Sequence, residues 1–172
     1  MSDKIFIEEN RVFKIDCKKA DEIFELHDEY HKNILSDVDL IIVDECGITF
    51  MEYKNSAIPN AANPKAFEES IKEESHYIKI ARKYYDSLIY ICHKADCSMK
   101  ERKYYYVLEC AKADSVVRKL LAGKIKKKLP FDLQENLEKL SQALIDHFEV
   151  VNISEWNNKF PDYQFEAYVT NP

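Results

Sequence analysis

Two apolar runs rich in β-branched residues form the clearest hydrophobic pattern in the chain. They are DLIIVD at 39–44 and ITFMEYK at 48–54, and the short link Glu45-Cys46-Gly47 separates them. Runs of this composition around a short polar link predict the two strands of a β-hairpin. Because both runs are apolar at most positions, we expect the hairpin to be buried on both faces, as in the centre of a sheet.

Periodic patterns elsewhere predict further elements of both kinds. Residues 4–16 predict an N-terminal hairpin around a Glu9-Asn10 turn. Asp132 and Glu135 have the spacing of a capping box, which predicts the start of a late helix. This helix would carry leucines at 133, 137, 140 and 144. The other predicted elements are helices at 18–34, 75–94 and 113–127, strands at 104–110 and 148–153, and a loop at 55–64.

The alternation of helices and strands predicts an α/β protein with a mixed β-sheet. The length of 172 residues fits a single domain. Its core is expected at about 18–110, followed by helices and a strand at 111–172, with Trp156 anchoring the C-terminal segment. No stretch approaches the roughly 18 apolar residues of a membrane span, and the polar start is unlike a secretory signal. We therefore expect a cytoplasmic protein without a membrane partner.

Composition excludes several classes of protein. The 2 glycines and 5 prolines are too few for a collagen-like chain. The 5 cysteines are odd in number and form no CxxC pair, so neither a disulfide framework nor a four-cysteine zinc site is expected. The sequence also lacks a glycine-rich phosphate loop, which excludes nucleotide hydrolysis of the P-loop type.

Charge is distributed unevenly along the chain. The net charge is −7 over residues 1–64, +7 over 65–129 and −6 over 130–172. The acidic total of −6 argues against a protein that coats DNA non-specifically, but the basic middle leaves room for a local phosphate-binding surface. Candidate phosphate contacts are Lys79, Arg82 and Lys83, and the six basic residues from Arg118 to Lys128. Solvated helices of mixed sign are the alternative explanation.

Three charged residues of the central hairpin form the candidate chemical site. Glu52 and Lys54 are two residues apart, so on a strand they point to the same face. A two-residue turn puts Asp39 opposite either Glu52 or Lys54, and both registers gather the three residues on one face. An odd-length turn would instead place Asp39 on the opposite face. Charged residues in buried strands are costly unless paired or liganded, which favours a functional site over a solvated surface.

The residue types suit divalent-metal chemistry. Mg²⁺ and Mn²⁺ take hard oxygen ligands, usually one or two carboxylates, with water and substrate phosphate completing the shell. Phosphodiester hydrolysis also needs a nucleophilic water and a cation near the developing charge. Acid-x-Lys triplets occur at 16–18 and 101–103 as well, but only the triplet at 52–54 lies on an apolar strand behind a strand that begins with aspartate.

The segment DLIIVDECGITFMEYK resembles the core of the PD-(D/E)XK, or restriction-endonuclease-like, superfamily. The resemblance extends to the predicted helix before residue 39, the helix at 75–94 and the strand at 104–110, in the family's order of helix, three strands, helix and strand. It implies a restriction-endonuclease-like mixed β-sheet flanked by helices. It also implies a metal-dependent endonuclease that hydrolyses phosphodiester bonds, with DNA as the expected substrate. Val38 stands where the family motif carries proline.

The resemblance also implies roles for individual residues. Asp39 and Glu52 would bind Mg²⁺ or Mn²⁺ together with the backbone carbonyl of Tyr53. Lys54 would orient the attacking water and stabilise the developing charge. Asp37 would replace Asp39 if the register shifts by two residues. Many family members add a glutamate from the preceding helix, for which the candidates are Glu22, Glu25 and Glu29. Such nucleases often act as homodimers, although no residue here identifies an interface.

Two other functions remain open on the sequence. One is a catalytically silent member of the same fold that binds nucleic acid or a protein. The other is a structural or regulatory protein whose acidic flanks contact a basic partner. His27 and His31 have the spacing of zinc ligands, but HDEYH is not HExxH, so a zinc site is not favoured. Tyr104, Tyr105 and Tyr106 are attributed to strand packing rather than to base stacking.

Overall fold

A five-stranded mixed β-sheet flanked by helices forms the centre of the protein, as the predicted α/β class requires. The computed structural model describes residues 4–30, 34–56, 66–94 and 99–169. In chain order the elements are β1 (Ile5–Ile7), β2 (Phe13–Asp16), β3 (Glu22–Phe24), α1 (His27–Tyr30), β4 (Leu40–Asp44), β5 (Gly47–Asn55), α2 (Ala66–Ser70), α3 (Glu74–Cys92), β6 (Arg102–Glu109), α4 (Ser115–Lys126), α5 (Phe131–Asn136), β7 (His147–Val151), α6 (Ile153–Lys159) and β8 (Phe165–Ala167).

The direction of strand pairing changes at β5. The strand order in the sheet is β3-β4-β5-β6-β7. Strands β3, β4 and β5 pair antiparallel, whereas β6 pairs parallel to β5 and β7 parallel to β6. The parallel step from β5 to β6 needs a crossover, and α2 and α3 lie within that connection. A second sheet of three antiparallel strands has the order β1-β2-β8.

Each face of the large sheet packs against a separate apolar cluster. Phe50 and Tyr104 face the helices on one side, where the ring of Tyr84 on α3 lies 4.9 Å and 5.2 Å from their rings. Met51 and Tyr105 point to the other face, where they join the cluster that contains Trp156 and the small sheet. Since neighbouring residues on a strand alternate between faces, the two clusters explain why β5 is apolar at successive positions.

The register of the central hairpin is one of the two predicted from its sequence. Leu40 pairs with Met51 and Asp44 with Gly47, so the turn is Glu45-Cys46. Extending this register by one residue places position 39 opposite position 52. The hairpin therefore brings the two predicted carboxylates to neighbouring positions at one end of the sheet.

The helix predicted for residues 18–34 is wrong over most of its length. Residues 22–24 form β3 instead, and a single helical turn, α1, follows. Ile23 pairs with Ile42 and Phe24 with Ile41, so this segment closes the free edge of β4. The β-branched and aromatic side chains here suit a strand, and the non-local pairing outweighs the helical spacing of the apolar positions. Residues 31–33 lie outside the described residues.

The late helix also departs from its prediction. α5 begins at Phe131, has Pro130 as its N-cap and lacks a side-chain capping bond, so the predicted Asp132–Glu135 capping box is wrong. It ends at Asn136, before most of the leucines it was expected to carry. The Gln134 side-chain oxygen accepts hydrogen bonds from the backbone nitrogens at 144 and 145, at 2.9 and 3.0 Å. These bonds turn the chain back toward β7 and explain why the helix is short.

A capping box opens α6, which the sequence analysis did not predict. The Asn152 side chain accepts from the Glu155 backbone nitrogen, and the Glu155 side chain accepts from the Asn152 nitrogen. The N-x-x-E spacing at 152–155 is the signal that predicts this helix. Trp156 on α6 is fully buried and donates its ring N–H to the Tyr163 carbonyl, which confirms its predicted anchoring role.

The remaining predicted elements have counterparts in the structure. The hairpin at 4–16, the helices at 75–94 and 113–127, and the strands at 104–110 and 148–153 correspond to β1–β2, α3, α4, β6 and β7. Most of the loop predicted at 55–64 lies outside the described residues. Within the described part of the chain, no helix is long and apolar enough to cross a membrane.

Candidate functional site

Asp39 and Glu52 converge on one partly buried ammonium group, that of Lys83 on α3. Lys83 Nζ lies 2.8 Å from each carboxylate oxygen of Glu52 and 3.9 Å from Asp39 Oδ1. The side chains of Glu52 and Lys83 are only 11% and 20% exposed. Because both carboxylates lie near the same ammonium, they are close enough to share a metal ion placed where that ammonium lies.

The backbone around Asp39 is held by specific hydrogen bonds. The Tyr53 backbone nitrogen donates to Asp39 Oδ2 at 2.7 Å, which ties the carboxylate to β5. Helix α3 holds the preceding segment, because Ser87 Oγ accepts from the Val38 nitrogen at 3.0 Å. Asp86 accepts from the Ser36 nitrogen at 2.8 Å in the same way. The Asp39 carboxylate is thus oriented by its own strand neighbour and by the long helix.

Burial and mutual repulsion shape the ionisation of the carboxylates. Burial, together with the Asp39 charge, raises the pKa of Glu52 to about 8, against the opposing effect of Lys83. Burial also raises the pKa of Asp39, and Lys83 and the Tyr53 amide oppose that rise. Burial alone would lower the pKa of Lys83, but Glu52 and Asp39 outweigh it, so the pKa is raised. A cation between the carboxylates is therefore electrostatically favoured.

These residues lie in a cleft of about 700 Å³. One group of lining residues is acidic and comprises Glu8, Glu9, Glu25, Asp37, Asp39 and Glu52. A second group is basic and comprises Lys54, Lys79 and Lys83, with His76 among them. A cleft with both signs of charge suits a ligand that combines a cation with an anion, such as a metal-bound phosphate.

Lys54 and Tyr53 are placed differently from each other. The Lys54 side chain is exposed and lines the cleft, on the same face of β5 as Glu52. The Tyr53 ring points to the other face, where it packs 5.2 Å from the ring of Phe165. Tyr53 therefore contacts Asp39 only through its backbone, whose N–H donates the hydrogen bond to Asp39 Oδ2.

His76 on α3 is a cleft residue that the sequence analysis missed. Its ring packs edge-on against Phe67, Tyr77 and Tyr106, and no described residue offers a hydrogen-bond partner to its buried Nε2. Burial lowers the pKa of His76, and the charges of Lys54 and Lys79 lower it further. The ring is therefore held neutral. A lone histidine in a helix gives no sequence signal for this placement.

The alternative carboxylates predicted from the sequence differ in their position relative to the cleft. Of the three candidate glutamates, Glu25 lines the cleft, whereas Glu22 pairs with Lys94 at 3.2 Å. The Glu29 side chain lies outside the described residues. Asp37 also lines the cleft and has a side chain that is 14% exposed, but the hairpin register puts position 39, not 37, opposite Glu52.

Other candidate residues lie away from the carboxylate pair. Arg82 bonds to Asp86 and to the Ile34 carbonyl instead of lining the cleft. In the basic stretch of 118–128, Arg118 pairs with Glu155 at 2.6 Å and is buried. His27, in contrast, lines the cleft, with its Nδ1 3.7 Å from Asp37 Oδ1 and its side chain 80% exposed. Its partner in the zinc spacing, at position 31, lies outside the described residues.

The donor set fits a metal that keeps much of its water. Among the described residues, no group of three or more His, Cys, Asp or Glu side chains is arranged to hold an ion. Asp39 and Glu52 supply two hard oxygen ligands, which is the usual protein contribution to a Mg²⁺ or Mn²⁺ site. The pair can bind such an ion if Lys83 gives up its contacts, and the basic residues can then hold an anion beside it.

Comparisons with protein-family models, with curated proteins and with solved structures found no match for this chain. The functional interpretation therefore depends on the geometry and chemistry of the cleft.

Proposed function

We propose that the protein is a metal-dependent endonuclease of the PD-(D/E)XK type, which hydrolyses phosphodiester bonds in nucleic acid, with DNA as the expected substrate. The observation that carries the proposal is the convergence of Asp39 and Glu52 on one cation position in a cleft that also contains Lys54. Neighbouring strands supply the two carboxylates, and β5 supplies the lysine on the same face.

The order of elements supports the proposed fold. Three antiparallel strands, β3 to β5, are followed by the long helix α3 and then by β6, parallel to β5. This is the order of three strands, helix and strand that the resemblance implies. The helix expected before those strands has no counterpart in the described residues, since α1 lies between β3 and β4.

Each residue has a defined part in the proposed site. Asp39 and Glu52 would hold Mg²⁺ or Mn²⁺, with the Tyr53 carbonyl as the third protein ligand. The ion would activate water and polarise the phosphate. The Tyr53 N–H keeps Asp39 Oδ2 in place. Lys54, whose side chain is exposed to the cleft, would bind a phosphate oxygen and orient the attacking water.

A binding protein of the same fold without catalysis is the second candidate function. The observation that favours it is the bidentate contact of Lys83 with Glu52, because a permanently bound ammonium would replace the metal. Such a protein would bind nucleic acid or a protein partner without cutting it.

The test of the proposed function is cleavage of single-stranded DNA, double-stranded DNA and RNA with Mg²⁺, Mn²⁺ or EDTA. Wild type should cut at least one substrate only when metal is present. Lys54→Ala should lose about 100-fold or more of the rate, since it removes a charge contact at the reacting phosphate, and should fold normally because its side chain is exposed. Glu52→Ala should abolish Mn²⁺ binding, and Asp39→Asn should weaken it.

The matched control is Lys159→Ala, which removes an exposed lysine on α6, outside both the cleft and the basic stretch of 118–128, and should leave cleavage unchanged. Absence of cleavage on all three substrates, with nucleic-acid binding that Lys54→Ala does not alter, would favour the binding protein. Metal-dependent cleavage that survives Glu52→Ala would contradict the proposed site.

A further inference from the structure

Lys83 contacts both predicted carboxylates of the cleft, and the proposed function gives it no part. Its ammonium lies 2.8 Å from both oxygens of Glu52 and 3.9 Å from Asp39 Oδ1. Three carboxylate oxygens therefore surround one positive charge. A divalent ion shared by Asp39 and Glu52 would need the same position.

The ammonium stabilises the pair of carboxylates. Glu52 is buried, and its negative charge would be strongly unfavourable beside Asp39 without a counter-charge. Lys83 is the only described residue that forms an ion pair with either carboxylate. Its side chain reaches them from α3, which otherwise contributes apolar residues to the sheet.

A metal ion and the Lys83 ammonium cannot both occupy the two carboxylate oxygens of Glu52 at the same time. Because Nζ engages both oxygens of Glu52, a metal ion that coordinates this carboxylate must displace the ammonium from at least one of them. The lysine side chain is long and flexible, and Lys79, one turn earlier on α3, lines the same cleft. The displaced ammonium would thus remain beside the basic residues of the cleft, where an anion brought by the metal would lie.

We propose that Lys83 is an exchangeable internal cation: it holds Asp39 and Glu52 together in the absence of metal, and a divalent cation displaces it. The displaced ammonium then contacts the anionic group that the metal carries, so Lys83 acts as a positioning residue of the site. This inference rests on the proposed function only in taking a divalent cation as the ligand of the carboxylate pair.

The test compares Lys83→Met with Lys79→Met, which removes a lysine from the same helix and cleft. Mn²⁺ affinity is measured by isothermal titration calorimetry without nucleic acid, and the melting temperature by circular dichroism in EDTA and in Mn²⁺. Lys83→Met should melt at a lower temperature than wild type in EDTA and should bind Mn²⁺ roughly tenfold or more tightly than wild type. Addition of Mn²⁺ should raise the melting temperature of the variant more than that of wild type. Lys79→Met should change the Mn²⁺ affinity much less than Lys83→Met does, because Lys83 is the lysine paired with Asp39 and Glu52. A lysine with a merely structural role would lower stability without raising metal affinity.

A measurement on wild type covers the case in which Lys83→Met does not fold. Reductive methylation followed by peptide mass spectrometry reports the accessibility of each lysine. Saturating Mn²⁺ should speed methylation of Lys83 and leave the exposed Lys127 unchanged. An unchanged rate at Lys83, or Mn²⁺ affinity in Lys83→Met that equals or falls below wild type, would overturn the inference.

The outcomes separate this inference from the proposed function. If Lys83→Met raises the Mn²⁺ affinity but the protein cleaves no nucleic acid, Lys83 is an exchangeable cation and the protein is not a nuclease. Metal-dependent cleavage with no effect of Lys83→Met on Mn²⁺ affinity would retain the nuclease and reject the exchange. Absence of Mn²⁺ binding in both wild type and Lys83→Met would reject both.

Discussion

His76 illustrates how a single buried atom can make stability depend on pH. Its Nε2 lies buried without a hydrogen-bond partner among the described residues, and its ring is surrounded by aromatic side chains. A proton on this nitrogen would place a positive charge in an apolar setting that Lys54 and Lys79 already make positive, so burial and these charges lower the pKa of His76. The unfolded chain therefore binds this proton more readily than the folded one.

His76→Gln should reduce the loss of stability in acid. The contribution of neutral His76 is present above its unfolded pKa of 6.5 and is lost as the pH falls through its lower folded value. We expect the free energy of unfolding, from urea denaturation, to fall less between about pH 7.5 and about pH 5 in the variant than in wild type. Equal losses in His76→Gln and wild type would contradict the assignment.

Individual residues also show why the site could be only partly predicted from the sequence. The hairpin supplies Asp39, Glu52 and Lys54 from local sequence, so strand alternation placed them on one face once the turn had an even length, as the structure shows. Lys83 was recognised from the sequence only as a phosphate contact. Its pairing with Glu52 spans 31 positions and depends on how α3 crosses the sheet, which no local pattern specifies.

At the scale of elements, the turn between β4 and β5 controls the register on which the site depends. Gly47 has a φ of 139°, a conformation that other residues rarely adopt. A β-carbon there would lie 2.8 Å from the Glu101 carbonyl oxygen. The Ile48 nitrogen donates to that same carbonyl at 2.7 Å, so the neighbouring backbone has little freedom to move away.

Gly47→Ala should therefore destabilise the protein by about 2 kcal/mol or more, from the backbone strain and the steric contact. Gly123→Ala provides the matched control, because Gly123 is helical and a β-carbon there meets nothing within 4 Å. That variant should be stabilised by up to about 1 kcal/mol through better helix propensity. Urea denaturation measures both. Destabilisation of similar size in the two variants would contradict the role of the turn.

The elements with the clearest local patterns were predicted correctly, whereas β3 and α5 depend on distant partners and were not. The central hairpin and α3 have strong periodicity and formed as predicted. β3 exists because β4 offers a free edge to Ile23 and Phe24, which is a property of the sheet and not of residues 18–34. α5 is short because Gln134 bonds to the backbone that leads into β7.

At the scale of the whole molecule, the C-terminal segment completes the core on the face of the large sheet opposite Glu52 and α3. Trp156 packs edge-on against Tyr105 with ring centroids 5.7 Å apart, and β8 pairs with β2 in the small sheet. The Ile153 nitrogen donates to the Glu109 side chain at 2.6 Å, which joins α6 to the end of β6. The last elements are therefore part of the layer that buries one side of the large sheet.

Trp156→Ala should cost about 3–5 kcal/mol of unfolding free energy, because it leaves a large cavity in this layer. The control is Val116→Ala, which truncates a side chain that is 72% exposed and should change stability by less than about 0.5 kcal/mol. Urea denaturation followed by circular dichroism gives both values. A loss in Trp156→Ala as small as in the control would mean that the segment folds independently of the sheet.

The position of Trp156 also determines what the intrinsic fluorescence of this protein reports. It is the only tryptophan in the chain, and it is fully buried on the face of the sheet away from Glu52 and Lys54. Unfolding would expose its indole to water and shift its emission to the red. A metal ion held by Asp39 and Glu52 would lie on the other face of the sheet, and Trp156 does not line the cleft. The protein thus contains a built-in optical reporter of folding that ligands in the cleft do not contact.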